Sequence, residues 1–248
     1  MADYTQDTNC QVAYLYSEGS GTTVADATSN GRNGTFNSSG HPAWDASVPN
    51  FGILGSAIGS VNYSSSGSSE IISDGTSDNI LPYNGAWTGV SWIYPTVDSG
   101  ASGDPRIFVR GSVAVSISTT ATFYIQIDGS TAFIKTAAIN SLTLNAWNHV
   151  AATWDGNLDA TLHGHLYVNG AEVGSYATEQ NGNTLTSNSG ATFYPGNRSD
   201  GARSLTGKQT EVAIFNRELS STEILDIYNY GLKPTTTFRK SAAMMQVF

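Results

Sequence analysis

Two short stretches decide the fold class of this chain: HVAATWDG at residues 149–156 and HLYVNGAEVGSY at residues 165–176. In the first, Val150, Ala152 and Trp154 alternate with smaller or polar residues, the period of two that places side chains on one face of a strand. The second contains the pair Asn169-Gly170, whose residues accept the positive φ angles of a type I′ turn. The two stretches therefore predict antiparallel strands with tight hairpin turns.

Further alternating runs lie outward from this region, and they are separated by turn signals. They are GVSWIYP at residues 89–95, TFYIQIDGSTAFIKT at 122–136, and EVAIFN at 211–216. The middle run predicts a hairpin that turns at Asp128-Gly129. Because no helix-period segment precedes residue 218, the pattern predicts an all-β sandwich of two antiparallel sheets.

One short helix is predicted near the carboxyl end. Ser220 and Glu223 have the spacing of a capping box, with Ser220 as the N-cap residue. Ile224 and Ile227 then fall on one face, and Gly231 ends the helix. We expect this helix to close one end of the sandwich.

The composition limits the classes of partner. Among 248 residues, 39% are hydrophobic and only 12% are charged, and the net charge is −9. Nucleic acid is not an expected partner, because phosphate binding needs a dense basic patch. No stretch approaches the length of a membrane span. Cys10 is the single cysteine, which excludes an intrachain disulfide and a cysteine-based metal cluster.

The charge is unevenly distributed, and this suggests a division into two parts. We expect a domain at residues 1–232 and a basic tail at 233–248, which carries Lys233, Arg239 and Lys240 without any acidic residue and ends at Phe248. Such a tail could dock on a neighbouring subunit. The first residues lack the features of a secretory signal, so cytoplasmic synthesis is expected; an extracellular location is the alternative if a signal was removed.

Four segments together resemble the bacterial laminin G-like, concanavalin A-like jelly rolls. They are YLYSEGSGTTVADATSNGRNGTF at residues 14–36, WTGVSWIYP at 87–95, the region 144–173, and EVAIFNRELSSTEILDIYNYG at 211–231. Their order and spacing are similar to the family from about residue 10 to 232. The resemblance implies a jelly-roll sandwich of two antiparallel sheets, and it implies no particular function.

The resemblance also implies a calcium ion, which many relatives hold between an early loop and a late acidic pair. Carried over to this chain, the ligands are Asp26, Asn33 and Glu211. Thr210 stands where relatives often have aspartate, which removes one of the several carboxylates that calcium favours. The alternative is that Asp26 and Asn30 only cap a tight loop through hydrogen bonds to the backbone.

Catalytic acids are not evident. Glucanases that share this fold place alternate carboxylates on one strand, as hydrolysis by two carboxylates requires. The nearest approach here is Glu70 and Asp74, whose spacing does not match. His149 lies in a Trp-Asn-His-Val segment where relatives also carry histidine, and it is interpreted as a packed structural residue. The sequence therefore predicts a protein that is not an enzyme.

Aromatic residues are the remaining lead, because their ring faces can stack on sugars. Trp92, Trp147 and Trp154 occupy alternating or motif positions and are expected in the core. A second group lies beside loop-like segments and forms the predicted carbohydrate-binding set: Trp44, Tyr83, Trp87 and Tyr194, with polar contacts from Asn197, Arg198 and Asp200.

Three functions follow as hypotheses. The first is a non-catalytic module that binds carbohydrate or a protein surface. The second is a structural protein of a virion surface, such as a phage capsid decoration or a tail-associated subunit, because jelly rolls are common in virions. Such a protein would oligomerise or contact neighbouring capsid or tail subunits. The third and least favoured is a glycoside hydrolase. The first two are compatible with one another, and we favour their combination.

Overall fold

A computed structural model describes most of the chain. The described residues are 2–37, 42–49, 59–63, 72–73, 80–96, 104–118, 120–127, 133–138, 140–157, 163–180 and 187–232. The predicted tail, with Lys233, Arg239, Lys240 and Phe248, lies outside them, as do Glu70, Asp74 and the turn Asp128-Gly129.

Short strands dominate the described part of the chain. In chain order the strands β1 to β17 are Cys10–Tyr14, Thr23–Val24, Gly34–Phe36, Ala43–Asp45, Ser60–Tyr63, Ile72–Ser73, Trp87–Pro95, Arg106–Arg110, Val113–Ser118, Thr122–Ile127, Phe133–Ala137, Asn148–Trp154, Gly164–Val168, Ala171–Glu172, Tyr176–Gln180, Phe193–Pro195 and Gly207–Phe215. A 3-10 turn spans Tyr4–Gln6, and the helix α1 spans Ser221–Tyr230. No helix among the described residues is long and apolar enough to cross a membrane.

The strands form two large antiparallel sheets and one small one. The larger sheet has the order β14-β13-β12-β7-β17-β5-β4, and β1 also pairs with β17. The second sheet has the order β15-β11-β10-β9-β8-β16, and β2, β3 and β6 form a three-stranded sheet. The predicted all-β sandwich with one short helix is therefore confirmed.

The two predicted hairpins are present. Val168 pairs with Ala171 in the β13–β14 hairpin, and Ile127 pairs with Phe133 in the β10–β11 hairpin. The turn after β13 has Asn169 at φ 52° and Gly170 at φ 79°, the left-handed pair that a type I′ turn requires. Local turn chemistry thus determines where β13 reverses into β14.

Two apolar layers stabilise the fold. The main core lies between the two large sheets and includes Trp154, Leu166 and Ile214. A second cluster lies on the outer face of the larger sheet, where Ile224 and Ile227 of α1 pack over it. The predicted capping box of α1 is confirmed, because Ser220 and Glu223 each accept a hydrogen bond from the other's backbone N–H.

Candidate carbohydrate-binding site

Trp44 lies on the edge strand β4 of the larger sheet, and its indole is half-buried. One face of the ring packs on Phe36, with ring centroids 5.2 Å apart and planes inclined by 32°. The indole Nε1 donates a hydrogen bond of 2.9 Å to the carbonyl oxygen of Gly21. These two contacts fix the orientation of the ring, so that it offers a rigid apolar wall at the edge of the sandwich.

A cavity of about 260 Å³ opens beside this ring. It is lined by Tyr16, Ser17, Gly19, Trp44, Asp45, Ala46 and Gly59, and it is called the Trp44 cavity below. Its size suits a small ligand, and its wall combines one aromatic ring with hydroxyl, carboxylate and backbone groups. Such a mixture is typical of a pocket in which a few polar groups orient a ligand against an apolar surface.

Asp45 supplies the negative charge of the Trp44 cavity. Its carboxylate accepts a hydrogen bond of 2.7 Å from the Ser47 backbone N–H, and the Lys208 ammonium lies 3.0 Å from Oδ2. Burial acts to raise the pKa of Asp45, but the hydrogen bonds from Ser47 and the charge of Lys208 outweigh it, and the pKa is lowered. Asp45 is therefore ionised at neutral pH and can accept hydrogen bonds from sugar hydroxyls.

Tyr83 lines a second cavity, of about 250 Å³, between two loops. The side chain of Asn188 joins these loops, since its amide donates to the carbonyl oxygens of Leu81 at 2.8 Å and Arg110 at 3.1 Å. Asn84 and Ser187 add polar groups to the wall. Tyr83 thus belongs to a different cavity from Trp44.

Tyr194, Arg198 and Asp200 lie in a third place. Tyr194 is half-buried on β16, at the edge of the six-stranded sheet. Arg198 pairs with Asp200 through two hydrogen bonds, one of which joins Nε to Oδ1 at 2.9 Å. The predicted carbohydrate-binding residues are therefore distributed over three places and do not converge on one site.

Two members of the predicted set are not available to a ligand, and for them the prediction is wrong. Trp87 is fully buried in the main core, where it pairs across the sheet with Trp154. Asn197 is also fully buried, and its Oδ1 accepts hydrogen bonds from the backbone N–H groups of Arg198 and Arg203, which shapes the loop. Trp147 was expected in the core, but it is half-buried beside Tyr94.

Most of the residues that line the Trp44 cavity were not predicted from the sequence. Ser17 and Gly19 belong to the Ser-Glu-Gly-Ser-Gly loop near the start of the chain, and Asp45 follows Trp44 directly. The aromatic–acid pair in Trp44-Asp45 was the one local signal. The pairing that brings residues 17–19 to this edge is non-local, and no sequence pattern of short range encodes it.

Two of the residues predicted for calcium, Asp26 and Asn33, form hydrogen bonds within the early loop. The Asp26 carboxylate accepts four hydrogen bonds, from the backbone N–H groups of Ala13, Thr28 and Arg32 and from the Thr28 hydroxyl. The Asn33 side-chain oxygen accepts from the Asp26 N–H. No group of three or more metal-binding His, Cys, Asp or Glu side chains occurs within the described ranges. The contacts favour the alternative, in which Asp26 caps the loop, and calcium binding stays a prediction.

Glu211 has a structural partner as well. It is buried on β17, and its Oε2 accepts a hydrogen bond of 3.1 Å from the backbone N–H of Leu232. Its φ of 49° accompanies a break in the pairing between β17 and β7. The carboxylate thus supports the start of the segment that follows α1.

Several carboxyl groups of the described segments have a shifted pKa. Those with a shifted pKa are all shifted downwards: Asp7, Asp45, Asp155, Glu172, Asp200 and Glu223. Hydrogen bonds from Arg217 lower the pKa of Glu223 to about 2, for example. A general acid in glycoside hydrolysis needs a raised pKa, so these groups are suited to ion pairs and to hydrogen-bond acceptance.

The chain belongs to the concanavalin A-like lectin and glucanase superfamily. A laminin G family model described as "Concanavalin A-like lectin/glucanases superfamily" matches residues 65–225, more than half of the chain. A comparison with curated proteins finds no match. The family membership agrees with the resemblance seen in the sequence.

Solved structures of the same fold include several larger proteins. The sialidase of Trypanosoma rangeli is 18% identical with a TM-score of 0.57, over 90% of this chain and 33% of that chain. The binding domain of Paraclostridial Mosquitocidal Protein 1 is 16% identical with a TM-score of 0.58, over 89% and 52%. The receptor-binding domain of botulinum neurotoxin type G is 16% identical with a TM-score of 0.56, over 89% and 51%. This chain spans a third to a half of their lengths, and the similarity shows the fold alone.

Proposed function

We propose that this protein is a non-catalytic carbohydrate-binding module, and that the Trp44 cavity is its binding site. The observation that carries the proposal is the fixed, half-exposed indole of Trp44 next to the ionised carboxylate of Asp45 in one cavity. The apolar ring face would stack on the C–H face of a pyranose, and Asp45 would accept hydrogen bonds from its hydroxyl groups.

Two further observations support a binding role. Two of the similar structures are named as binding domains, of a mosquitocidal protein and of a botulinum neurotoxin. The sialidase is an enzyme, but this chain corresponds to only 33% of it. The lowered pKa of each shifted carboxyl group in the described segments also favours recognition over hydrolysis.

Substitution of Trp44 tests the proposal. We expect the wild-type protein to bind at least one neutral glycan on a printed array, and Trp44→Ala to weaken that binding by about tenfold or more, because the stacking surface is lost. Trp147→Ala is the matched control, since Trp147 is also half-buried and lies outside the cavity. Absence of all glycan binding by the wild type, or equal losses in the two variants, would sink the proposal.

We further propose that the module serves on a virion surface, as a capsid decoration or tail-associated subunit. The supporting observation is the charge asymmetry, with three basic and no acidic residues in 233–248 against a body that carries all 20 acidic residues. Opposite charges on two copies would favour docking of the tail on a neighbouring body. Location on a virion, or outside a cell, is part of this proposal.

Deletion of residues 234–248 tests the assembly role. We expect the full chain to oligomerise in low salt, as measured by analytical ultracentrifugation, and the truncated chain to be a smaller species. Salt should weaken the full-chain assembly, because screening reduces attraction between exposed charges. A full chain that is monomeric and indistinguishable from the truncated chain would contradict the assembly proposal and leave the carbohydrate proposal intact.

A further inference from the structure

A groove runs along α1 where the helix meets the amino-terminal 3-10 turn. Its volume is about 440 Å³, and it is called the α1 groove below. Ile224 and Ile227 of the same helix belong to the apolar cluster on the larger sheet, so the groove lies on the side of α1 that faces away from that sheet. The groove-lining residues that matter here are Tyr4, Leu225, Asp226, Asn229 and Tyr230.

The α1 groove has an exposed apolar part. Leu225 is 45% exposed, more than any other large apolar side chain that the structure describes. Tyr4 is buried beside it, with its ring edge-on to Phe215 and the ring centroids 6.4 Å apart. An apolar side chain of a partner that covered Leu225 would remove this surface from water, and the burial would stabilise the contact.

The α1 groove is also negatively charged. The Tyr4 hydroxyl donates a hydrogen bond of 3.2 Å to Asp226 Oδ2, and Asp226 forms no ion pair with a described residue. Glu223 adds a second carboxylate, which pairs with Arg217 at 2.6 Å, and Arg217 also pairs with Asp7 at 2.6 Å. Carboxylates therefore outnumber the guanidinium by three to one among these side chains, and Asp226 is the one available to a cation from a partner.

The basic tail begins beside this groove. The backbone N–H of Tyr4 donates to the carbonyl oxygen of Leu232 at 2.9 Å, and the Leu232 N–H donates to Glu211 at 3.1 Å. Leu232 is fully buried, so these contacts fix the point from which residues 233–248 continue. The tail therefore starts two residues after Tyr230, which lines the groove.

The sequence of the tail complements the groove. Its segment Phe238-Arg239-Lys240 places an aromatic ring directly before two cations. The groove presents an exposed leucine directly before a carboxylate, Leu225-Asp226. Apolar and charged groups thus occur side by side on both surfaces, and their charges are opposite.

We propose that the α1 groove binds the tail 233–248 of a second copy of this chain, with apolar tail residues against Leu225 and basic tail residues near Asp226. The inference rests on the assembly role proposed above and names the surface to which the tail binds. Because each tail starts beside its own groove, a twofold axis near this face brings the tail of each copy to the groove of the other. Two copies then form a closed dimer with two identical contacts.

Substitutions in the full chain test the inference, with analytical ultracentrifugation in low salt as the measurement. We expect the wild type to form a dimer. Leu225→Ser should raise the dissociation constant of this dimer by about fivefold or more, because apolar burial is lost. Asp226→Asn should raise it by about threefold or more, because an ion pair is lost.

The chain offers a matched control for each variant. Leu144→Ser removes the other exposed large apolar side chain, which is 36% exposed and lies outside the groove. Asp200→Asn removes a carboxylate whose side chain is 48% exposed on another loop. Both controls should dimerise as the wild type does.

A competing peptide supplies the second measurement. A synthetic peptide with the sequence of residues 233–248, added in excess to the wild-type chain, should dissociate the dimer because it occupies both grooves. The control peptide carries Lys233→Glu, Arg239→Glu and Lys240→Glu, and it should leave the dimer intact because its charge is reversed.

Three results would overturn the inference. The first is a wild type that stays monomeric in low salt, as expected if each tail occupies its own groove or none; it would also contradict the assembly proposal. The second is equal dimerisation of the groove variants and their controls, and the third is a dimer that the wild-type peptide does not dissociate. If deletion of residues 234–248 still abolishes the dimer, the second and third results place the tail on another surface and leave the assembly proposal intact.

Discussion

The imidazole of His149 shows how packing changes the chemistry of a residue. It is fully buried in the outer layer of the larger sheet, with ring centroids 5.3 Å from Trp92 and 5.9 Å from Tyr228. Neither ring nitrogen has a hydrogen-bond partner among the described residues, and burial lowers the pKa of His149 to about 3. His149 is therefore neutral over the usual pH range, as expected for a packed residue and not for a general base.

A pH dependence of stability follows from His149. The unfolded chain binds a proton below its ordinary pKa of about 6.5, whereas the folded protein does not until about pH 3. The contribution of His149 to the free energy of unfolding is therefore fully present above about pH 6.5. It falls as the pH decreases below that value, by at most about 1.4 kcal/mol per pH unit. We expect His149→Phe, which retains an aromatic ring, to remove this contribution in urea unfolding measured from about pH 7 to about pH 5.

The matched control for this prediction is His165→Gln, because the His165 side chain is one-third exposed and pairs with Glu172. An unchanged pH profile in the His149 variant would show that His149 does not carry the dependence. This outcome would leave the fold and the site proposed at the Trp44 cavity unaffected.

At the scale of elements, β17 and α1 organise one side of the molecule. β17 pairs with β5 over Gly207–Gln209 and with β1 at Val212–Phe215, and it changes partner around Glu211. The chain then enters α1, whose apolar residues cover the outer face of the same sheet. Glu211 has a left-handed φ angle at this break in strand pairing. Such breaks are where β-bulges are found.

The capping box of α1 leads to a prediction about this element. Ser220 accepts a hydrogen bond from the backbone N–H of Glu223, so Ser220→Ala leaves one donor of the first turn without its partner. We expect a loss of about 1 kcal/mol in the free energy of unfolding, measured by urea denaturation. Ser221→Ala is the control, because Ser221 is exposed in the first turn and makes no cap; equal losses in both variants would contradict the assignment.

At the scale of the whole molecule, the two outer faces of the sandwich differ. α1 and the amino-terminal turn cover part of the larger sheet, and their apolar residues form the second hydrophobic cluster. The six-stranded sheet instead carries polar side chains on its outer face, of which Arg106, Ser116 and Tyr124 are buried. The Trp44 cavity lies at the edge strand β4 of the larger sheet. The proposed carbohydrate site therefore lies at an edge of the sandwich.

The sequence by itself determined the strands of the alternating runs, the two hairpins and the capped helix. These features depend on contacts within a few residues, such as the alternation at Val150, the turn at Asn169-Gly170 and the cap at Ser220. Side-chain directions repeat after a few residues along strands and helices, so a short stretch of sequence contains the whole pattern. The jelly-roll class followed from the order of four such segments.

Only the tertiary structure decided which side chains are available for binding. Trp44 and Trp87 are both tryptophans beside loop-like segments of the sequence. Trp44 nevertheless lines a cavity at an edge strand, whereas Trp87 is buried between the sheets. Arg106 and Arg203 are far apart in the sequence and become neighbours through one backbone hydrogen bond. Exposure and proximity depend on non-local strand pairing, because the order of strands in a sheet determines what covers each face.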